Sequence, residues 1–508
     1  MLTGAAVSSR LAGAGQGLFC NAAVAEGDVA VCDAEPLCAI VFDAGGCADD
    51  ADGAGDDAGG SGVETGGAGG SQASAPSAQS SDADHDSACV ASDVDDGSGA
   101  CASDVCARCC AFVRTPAAEA LVRLEAAVRA TPPGDESART ALQSAADGLS
   151  AMLTEDGSPQ TSEALRCACG VSYCSASCAK ADAIGGHALL CGGGEGDKSR
   201  AAEALQLAQY ISSQTNESLW LVARALARVA LAAAHRLRGD GDGRACSADE
   251  ALRAAWLPFA AVHSRPWWEI LPLPDAAARG EVHEVASDFV SVLREGMRRR
   301  IEDGWAQLLT SPNGGNIEPE SATRLPWAEL RSLWPILEAK LLTTDACGYL
   351  MGAFELNNLE LVVVSPLDGM LDAKEETEGA PVLGGGDARM SAAIAALRPL
   401  SRRRALGSAL YGVHSKINHS CMPNVLAQKS PSDPAAAAVL IALRDISPGE
   451  ELRASYINED APFEERQSAL RDDYGFDCKC EKCAADAETE AAQRRRADPK
   501  GKGQAVIL

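Results

Sequence analysis

The residue types best suited to chemistry are concentrated in 411–424, Tyr-Gly-Val-His-Ser-Lys-Ile-Asn-His-Ser-Cys-Met-Pro-Asn. At its heart is Asn418-His419-Ser420-Cys421-x-Pro423-Asn424, an amide, an imidazole, a hydroxyl and a thiol in consecutive positions. Pro423 restricts Met422 to extended conformations, which suits a turn entering a strand. Taken alone, the motif is such a polar turn. It does not stand alone. Gly15-Gln16-Gly17-Leu18-Phe19 precedes it, and Gly449-Glu450-Glu451-Leu452, Ser455-Tyr456-Ile457 and Cys478-x-Cys480-x-x-Cys483 follow. A second array runs through Cys106-x-x-Cys109, Cys167-x-Cys169, Cys174-x3-Cys178 and His187-x3-Cys191. Zinc takes four thiolate or imidazole ligands, and pairs two to four residues apart can share one ion. Eight such ligands make two sites, with Cys110 an alternative to Cys109.

Length and composition bound the elements that position these groups. A chain of 508 residues, 46% hydrophobic, has room for two or three domains and a large core. Net charge is -28, but residues 43–105 carry fourteen Asp/Glu and no Lys or Arg, half of the total. Global charge therefore says little about the active face, and an acidic face would favour basic peptides. No run of about 18 apolar residues is evident, so no membrane span is expected. The N-terminus lacks the plan of a secretory signal. Twenty cysteines without an export signal imply a reducing compartment with metal sites, nucleus or cytoplasm.

In chain order, 8–42 reads as short strands, with Glu26-Gly27-Asp28 as a turn. Gly15 and Gly17 leave room for backbone to approach a ligand. Residues 43–105 are Gly, Ala, Ser and Asp, too polar to offset chain entropy, and read as a disordered acidic insert. Residues 106–191 form the zinc module, interrupted at 111–166 by a stretch with a helix at 117–129 and a Pro-Pro-Gly break. Residues 200–340 read as helical from the spacing of Leu205, Ala208, Leu219, Val222, Leu226 and Val229. Trp256, Trp267, Trp268, Trp327 and Trp334 are expected in the core, and Arg298-Arg299-Arg300 on a solvated face. Residues 341–457 return to strands, with 368–408 a polar insertion holding one short helix. Residues 458–484 are Cys-rich, and 485–508 read as a disordered tail.

In this order the pieces resemble the SET domain of protein lysine methyltransferases, and the array from 106 to 191 resembles a MYND zinc module. Together they are similar to the SET-and-MYND branch of that family. The resemblance implies an α+β fold: small, mostly antiparallel β-sheets with a C-terminal segment threaded beneath the loop bearing Asn418, a helical insert, and an inserted zinc-binding module. It implies S-adenosylmethionine as cofactor and a protein lysine, histone or non-histone, as substrate. Tyr456 would orient the lysine amine, and Tyr474 would complete its channel. Gly15, Gln16, Gly17, Asn418, His419, Tyr456 and Phe476 would hold the cofactor, with Asn357 or Asn358 nearby. Gln16 stands where the family often has a basic residue.

The metal pairing implied by resemblance is interleaved: Cys106, Cys109, Cys174 and Cys178 for one zinc, and Cys167, Cys169, His187 and Cys191 for another. Cys421 would join Cys478, Cys480 and Cys483 around a third, clipping the C-terminal segment over the site. Such modules bind peptides in some relatives, so a peptide partner there is an expectation, whereas few basic residues argue against DNA. Many family members continue into a helical-repeat domain after the last cysteines; 25 residues follow here, implying a short form with a more open cleft. The competing reading is a non-catalytic zinc adaptor that binds protein partners.

Overall fold

The computed structural model describes residues 7–12, 15–33, 35–42, 105–155, 164–194, 197–240, 246–271, 273, 275–305, 309–310, 316–317, 325–372, 388–400, 404–427 and 436–497. The acidic insert, apart from Val105, lies outside them.

A two-residue connection at 13–14 joins β1 (Val7–Ala12) and β2 (Gly15–Cys20) into a hairpin, followed by β3 (Val29–Asp33) and β4 (Cys38–Phe42). Gly27 supplies the left-handed backbone of the intervening turn, φ 83°. Within 106–191, Thr115 caps α1 (Pro116–Ala130) with its side chain, Pro116 pre-sets the first turn, and α2 (Glu136–Glu155) packs against α1. Then come β5 (Leu165–Cys167), β6 (Ser172–Tyr173), α3 (Ala176–Asp182), a wide helical turn at 183–187, and α4 (Ala188–Leu190).

The helical region holds α5 (Arg200–Thr215), α6 (Ser218–Arg238), α7 (Ala248–Ala260), α8 (Trp267–Ile270) and α9 (Ala276–Asp303). A short hairpin, β7 (Leu309–Thr310) and β8 (Asn316–Ile317), precedes α10 (Trp327–Lys340) and α11 (Thr344–Asn357). α6 buries Leu219, Leu221, Val222, Leu226, Val229 and Leu231, with Arg224 and Arg228 interrupting the apolar run. Against expectation it is long and apolar enough to cross a membrane, with hydropathy 1.2 over its best window. That window is 67% buried in the largest core cluster, among α5, α7, α9, α10 and α11. Trp267 is buried in this core and Trp256, Trp268, Trp327 and Trp334 pack against it. Arg298 and Arg299 pair with Glu295 and Glu302 at the surface, but Arg300 turns inward and donates to the Cys191 carbonyl, a correction to the solvated face expected there.

From α11 the chain enters β9 (Asn358–Val364), α12 (Pro366–Asp372), α13 (Ala388–Leu397) and β10 (Arg404–Leu410). The stretch 368–408 was expected to be a polar insertion; its last residues instead form β10, the centre of a β4-β10-β9 sheet. Gly407 and Ser408 mask that strand in the sequence. Next are β11 (Asn418–His419), β12 (Val425–Ala427), β13 (Ala438–Ala442) and β14 (Glu451–Ala454). β14 ends before Ile457, where a longer strand was expected, because the Tyr456 amide turns to a side chain. α14 (Phe463–Tyr474) and α15 (Glu481–Ala497) complete the described chain, so the expected disordered tail is helical to residue 497.

The sheets are small: β1-β2-β14-β11, β4-β10-β9, β12-β13-β3 and β6-β5-β7-β8. Among the described residues every strand pairing is antiparallel except β11 with β14. That parallel pair sets Asn418 opposite Arg453 and His419 opposite Ala454. Two insertions far apart in sequence meet in one satellite bundle: α1 and α2 pack with α12 and α13 through Leu124, Leu149, Leu367, Leu371 and Leu397. At its centre the buried Arg123 guanidinium donates to Glu119 and Asp368, and Ser365 donates to the other Glu119 oxygen.

Candidate functional site

Ile417 and Leu452 anchor β11 and β14 in the small core beneath the loop of Asn418. Asn424 locks the crossing by donating to the Glu451 carbonyl at 2.9 Å and accepting the Arg453 amide at 2.8 Å. The chain leaving β14 therefore passes directly over His419. The Tyr456 amide donates to His419 Nδ1 at 3.1 Å, so the imidazole proton sits on Nε2, 3.3 Å from Cys421 Sγ. Burial lowers the His419 pKa to about 4, keeping the ring neutral.

The Tyr456 hydroxyl donates to the Ile417 carbonyl. Burial, then Tyr474 and Glu451, raise its pKa, so the phenol stays protonated. Four rings form a continuous wall: His419–Tyr456 at 5.3 Å, Tyr456–Tyr474 at 5.0 Å, His419–Phe476 at 6.1 Å and Tyr474–Phe476 at 6.5 Å between centroids. Phe476 reaches this wall because Gly475 ends α14 in the left-handed region, φ 76°, and the Phe476 amide folds back to the Leu470 carbonyl.

Asn418 donates its side-chain amide to Glu451 Oε1 at 2.7 Å. Gly17 lies against this pair: a Cβ there would come within 2.6 Å of Glu451 Oε1 and 3.2 Å of Asn418 Nδ2. Gly15 and Gln16 continue β2, paired to β1; their side-chain positions lie outside the described residues. The two asparagines before β9 diverge. Asn357 donates to the His263 carbonyl at 2.8 Å, in the turn whose Arg265 guanidinium reaches Gly475. Asn358 donates to Ser408 Oγ at 3.2 Å, along the β9–β10 sheet. Neither has a described bond to Asn418, Tyr456 or Phe476.

Three groups of four ligand atoms each converge, every group within 4.8 Å: Cys106, Cys109, Cys174 and Cys178; Cys167, Cys169, His187 and Cys191; Cys421, Cys478, Cys480 and Cys483. Sulfur pairs of 3.5 to 3.7 Å, such as Cys174–Cys178, Cys109–Cys174, Cys167–Cys191 and Cys421–Cys483, match the edge of about 3.8 Å in a tetrahedron of Zn–S bonds. These clusters could hold metal ions. Cys109, rather than Cys110, joins the first; Cys110 turns away at φ 60° into the interface with β9 and β10. In the third cluster burial raises the Cys480 thiol, but the amides of Cys483 and Cys421 outweigh it and bring it down to about 7, aiding thiolate formation.

Sequence reasoning missed the groups that support these clusters. Gln467 clamps Cys478 with two 3.0 Å bonds. The buried Arg466 approaches Cys483 Sγ at 3.7 Å and pairs with Asp486 at 2.6 Å. Arg224 joins Asp182 (3.1 Å) to the Ala107 carbonyl (3.2 Å), and Tyr173 donates to Asp182 at 2.9 Å. With Arg300 at the Cys191 carbonyl, these arginines fasten the cysteine module to the helical region. Tyr173 and Asp182 lie within a few residues of cysteines and Arg224 on the helix α6, whereas Arg466 and Gln467, on the polar α14, carried no local signal.

Residues 333–457 match the SET domain family model. The chain is 34% identical over 333 residues to the histone-lysine N-methyltransferase ATXR2 of Arabidopsis thaliana, covering 62% of this chain and 61% of that protein. It is 37% identical over 98 residues to the histone-lysine N-methyltransferase SET5 of Meyerozyma guilliermondii, covering 19% and 20%. It is 38% identical over 96 residues to the N-lysine methyltransferase SMYD2 of Homo sapiens, covering 18% and 21%. The chain thus carries a SET domain and has lysine methyltransferase homologues. It spans about three fifths of the length of ATXR2 and about a fifth of the other two.

Proposed function

We propose that this chain is an S-adenosylmethionine-dependent protein-lysine N-methyltransferase acting on histone or other protein lysines in the nucleus or cytoplasm. The observation that carries this reading is the wall of His419, Tyr456, Tyr474 and Phe476 beside the Asn418 amide, built within and just beyond the stretch that matches the SET domain. Gly17, whose missing Cβ leaves room beside the Asn418–Glu451 pair, and an amide oxygen beside an aromatic face suit an adenosyl amino acid. By the same reading Asn357 belongs at the rim through the 263–265 turn.

S-Adenosylmethionine, when bound, supplies a methyl group on a sulfonium. In-line transfer would form the N–C bond as the S–C bond broke, releasing S-adenosylhomocysteine and, to solvent, a proton from the methylated ammonium, so the chain's work is alignment and exclusion of water. A free lysine has a pKa of about 10.4, and an aromatic channel favours the neutral amine that attacks. Because the Tyr456 hydroxyl gives its proton to the Ile417 carbonyl, its oxygen remains an acceptor for an amine N–H. The raised Tyr456 and Tyr474 pKa values leave both phenols neutral orienting groups.

The architecture we propose is a SET domain in two parts, 8–42 and 341–457, with a MYND-like module at 106–191, a helical insert at 200–340 and a post-SET segment at 458–484. Each of the three clusters holds one structural zinc, and the third clips the Phe476 segment over the site. In this module β5 is paired on both sides, by β6 and by β7, so β5 itself offers no edge to a partner strand. Calorimetry with S-adenosylhomocysteine tests the reading. We expect saturable binding to the zinc-loaded protein, strongly weakened by Asn418→Ala; absence of binding to folded, zinc-loaded protein overturns it.

A further inference from the structure

We propose that Glu451 is a positioning residue for the cofactor: it fixes the Asn418 side-chain amide so that its carbonyl oxygen faces the amino-acid end of S-adenosylmethionine. This deepens the methyl-transfer reading and rests on it. Glu451 is held at both ends. Its backbone carbonyl accepts from Asn424 at 2.9 Å, and its residue pairs with Phe19 across β2. Its side chain is only 12% exposed. One carboxylate oxygen accepts from Asn418 Nδ2 at 2.7 Å and the other from Arg453 Nε at 2.9 Å. Gly17 completes the packing, since any Cβ would strike the same Oε1 and the same Nδ2.

The chemistry follows from the two side chains. An ionised carboxylate only accepts hydrogen bonds, so the amide must present its nitrogen to it. The amide oxygen is then forced to the opposite side. An α-ammonium group only donates, and a flipped amide would oppose it with another N–H. By fixing the flip, Glu451 converts Asn418 into an acceptor for that ammonium. Its negative charge also favours an ammonium group on the far side of the amide. Glu451 itself bonds to neither methyl group nor amine, so it is not a catalytic residue.

The test uses the full chain loaded with zinc and two probes. S-Adenosylhomocysteine keeps the amino-acid end; 5′-methylthioadenosine shares the adenosine and sulfur but lacks it. Glu451→Ala should weaken S-adenosylhomocysteine about tenfold, the size expected for a hydrogen bond to a charged group. Methylthioadenosine binding, followed by ligand-observed NMR, should not change. In an Asn418→Ala background the Glu451→Ala effect should vanish, the signature of one residue acting through the other. Glu451→Gln, which keeps an acceptor, should recover part of the loss. Equal weakening of both probes would mean general loosening and overturn the proposal, as would an undiminished loss in the Asn418→Ala background or no loss at all. Wild-type protein that binds no S-adenosylhomocysteine overturns the methyl-transfer reading and this proposal with it. Wild-type binding with an unaffected Glu451→Ala variant overturns the proposal alone.

Discussion

The ring-walled site and the satellite bundle are both assembled from distant segments, yet they are specified in opposite ways. The site gathers Gly17, Asn418, His419, Tyr456, Phe476 and a cysteine cluster, residue types few and chemically distinct, at fixed spacings. The bundle gathers α1, α2, α12 and α13, whose contact faces are Ala, Leu and Ile. Interchangeable apolar residues bury surface against any similar face. Arg123, Glu119, Asp368 and Ser365 name the partner in the bundle, and a buried ion pair of this kind is a better device for register than for stability. The lesson is that chemistry leaves a local trace in sequence, whereas mutual burial of apolar helices leaves almost none.

The largest effect should come from the site's metal clip. Cys478→Ser removes one ligand of the third cluster while leaving the backbone clamp of residue 478 to Gln467 in place. We expect one metal ion to be lost by elemental analysis and cofactor affinity to fall more than about 100-fold, beyond what supporting residues of metal sites cost. Hydrogen exchange in the bundle should not change. Loss of bundle protection would show that the two regions are one folding unit and break the comparison.

Arg123→Met is the reciprocal experiment. It strands Glu119 and Asp368 in the bundle interior, at a cost of about 3–5 kcal/mol. Native-state hydrogen exchange should accelerate across 116–155 and 388–397 while cofactor affinity holds. Smaller still is Arg466→Met. It removes the cation beside Cys483, and chelator competition should show metal affinity at the third cluster reduced about 10–100-fold. The site in the cysteine module should keep its affinity.

The smallest effect is on acid stability. Burial lowers the His414 pKa to about 4 from 6.5, so the unfolded chain binds its proton first as pH falls. The contribution is full above 6.5, shrinks between 6.5 and 4, and levels off below. His414→Gln should flatten that part of the stability curve, measured by urea unfolding at stepped pH. An unchanged slope would mean other groups dominate acid loosening there.

These contrasts explain what the sequence revealed. The cysteines and His187 gather in the three groups that the family resemblance implied; spacing alone marked the ligand pairs but left their interleaving open. The helices over 200–238 were legible because Leu205 to Val229 repeat at helical spacing, whereas the short β7–β8 hairpin within 200–340 carried no such signal. β10 was missed since Gly407 and Ser408 interrupt its apolar pattern, and only β4 and β9 on either side make it a strand. α15 was missed because its charge and alanine content signal solvent rather than structure; its attachment comes from Lys482 and Asp486 meeting Glu459 and Arg466. Arg300 read as surface because nothing nearby announces that the Cys191 carbonyl needs a donor. Glu451 sat in a quoted motif without a role until its distance to Asn418 was known.

The most direct test of the central claim is lysine methylation itself. Zinc-loaded native chain and Tyr456→Phe would each be incubated with S-adenosylmethionine carrying a heavy methyl label and a cell protein extract, and digests searched for labelled lysines by mass spectrometry. Labelled lysines at discrete sites with the native chain, and few or none with Tyr456→Phe, are the predicted result. No labelled lysine with native protein that binds the cofactor, or equal labelling by both proteins, would contradict the assignment of Tyr456 and of this wall as the place where transfer occurs.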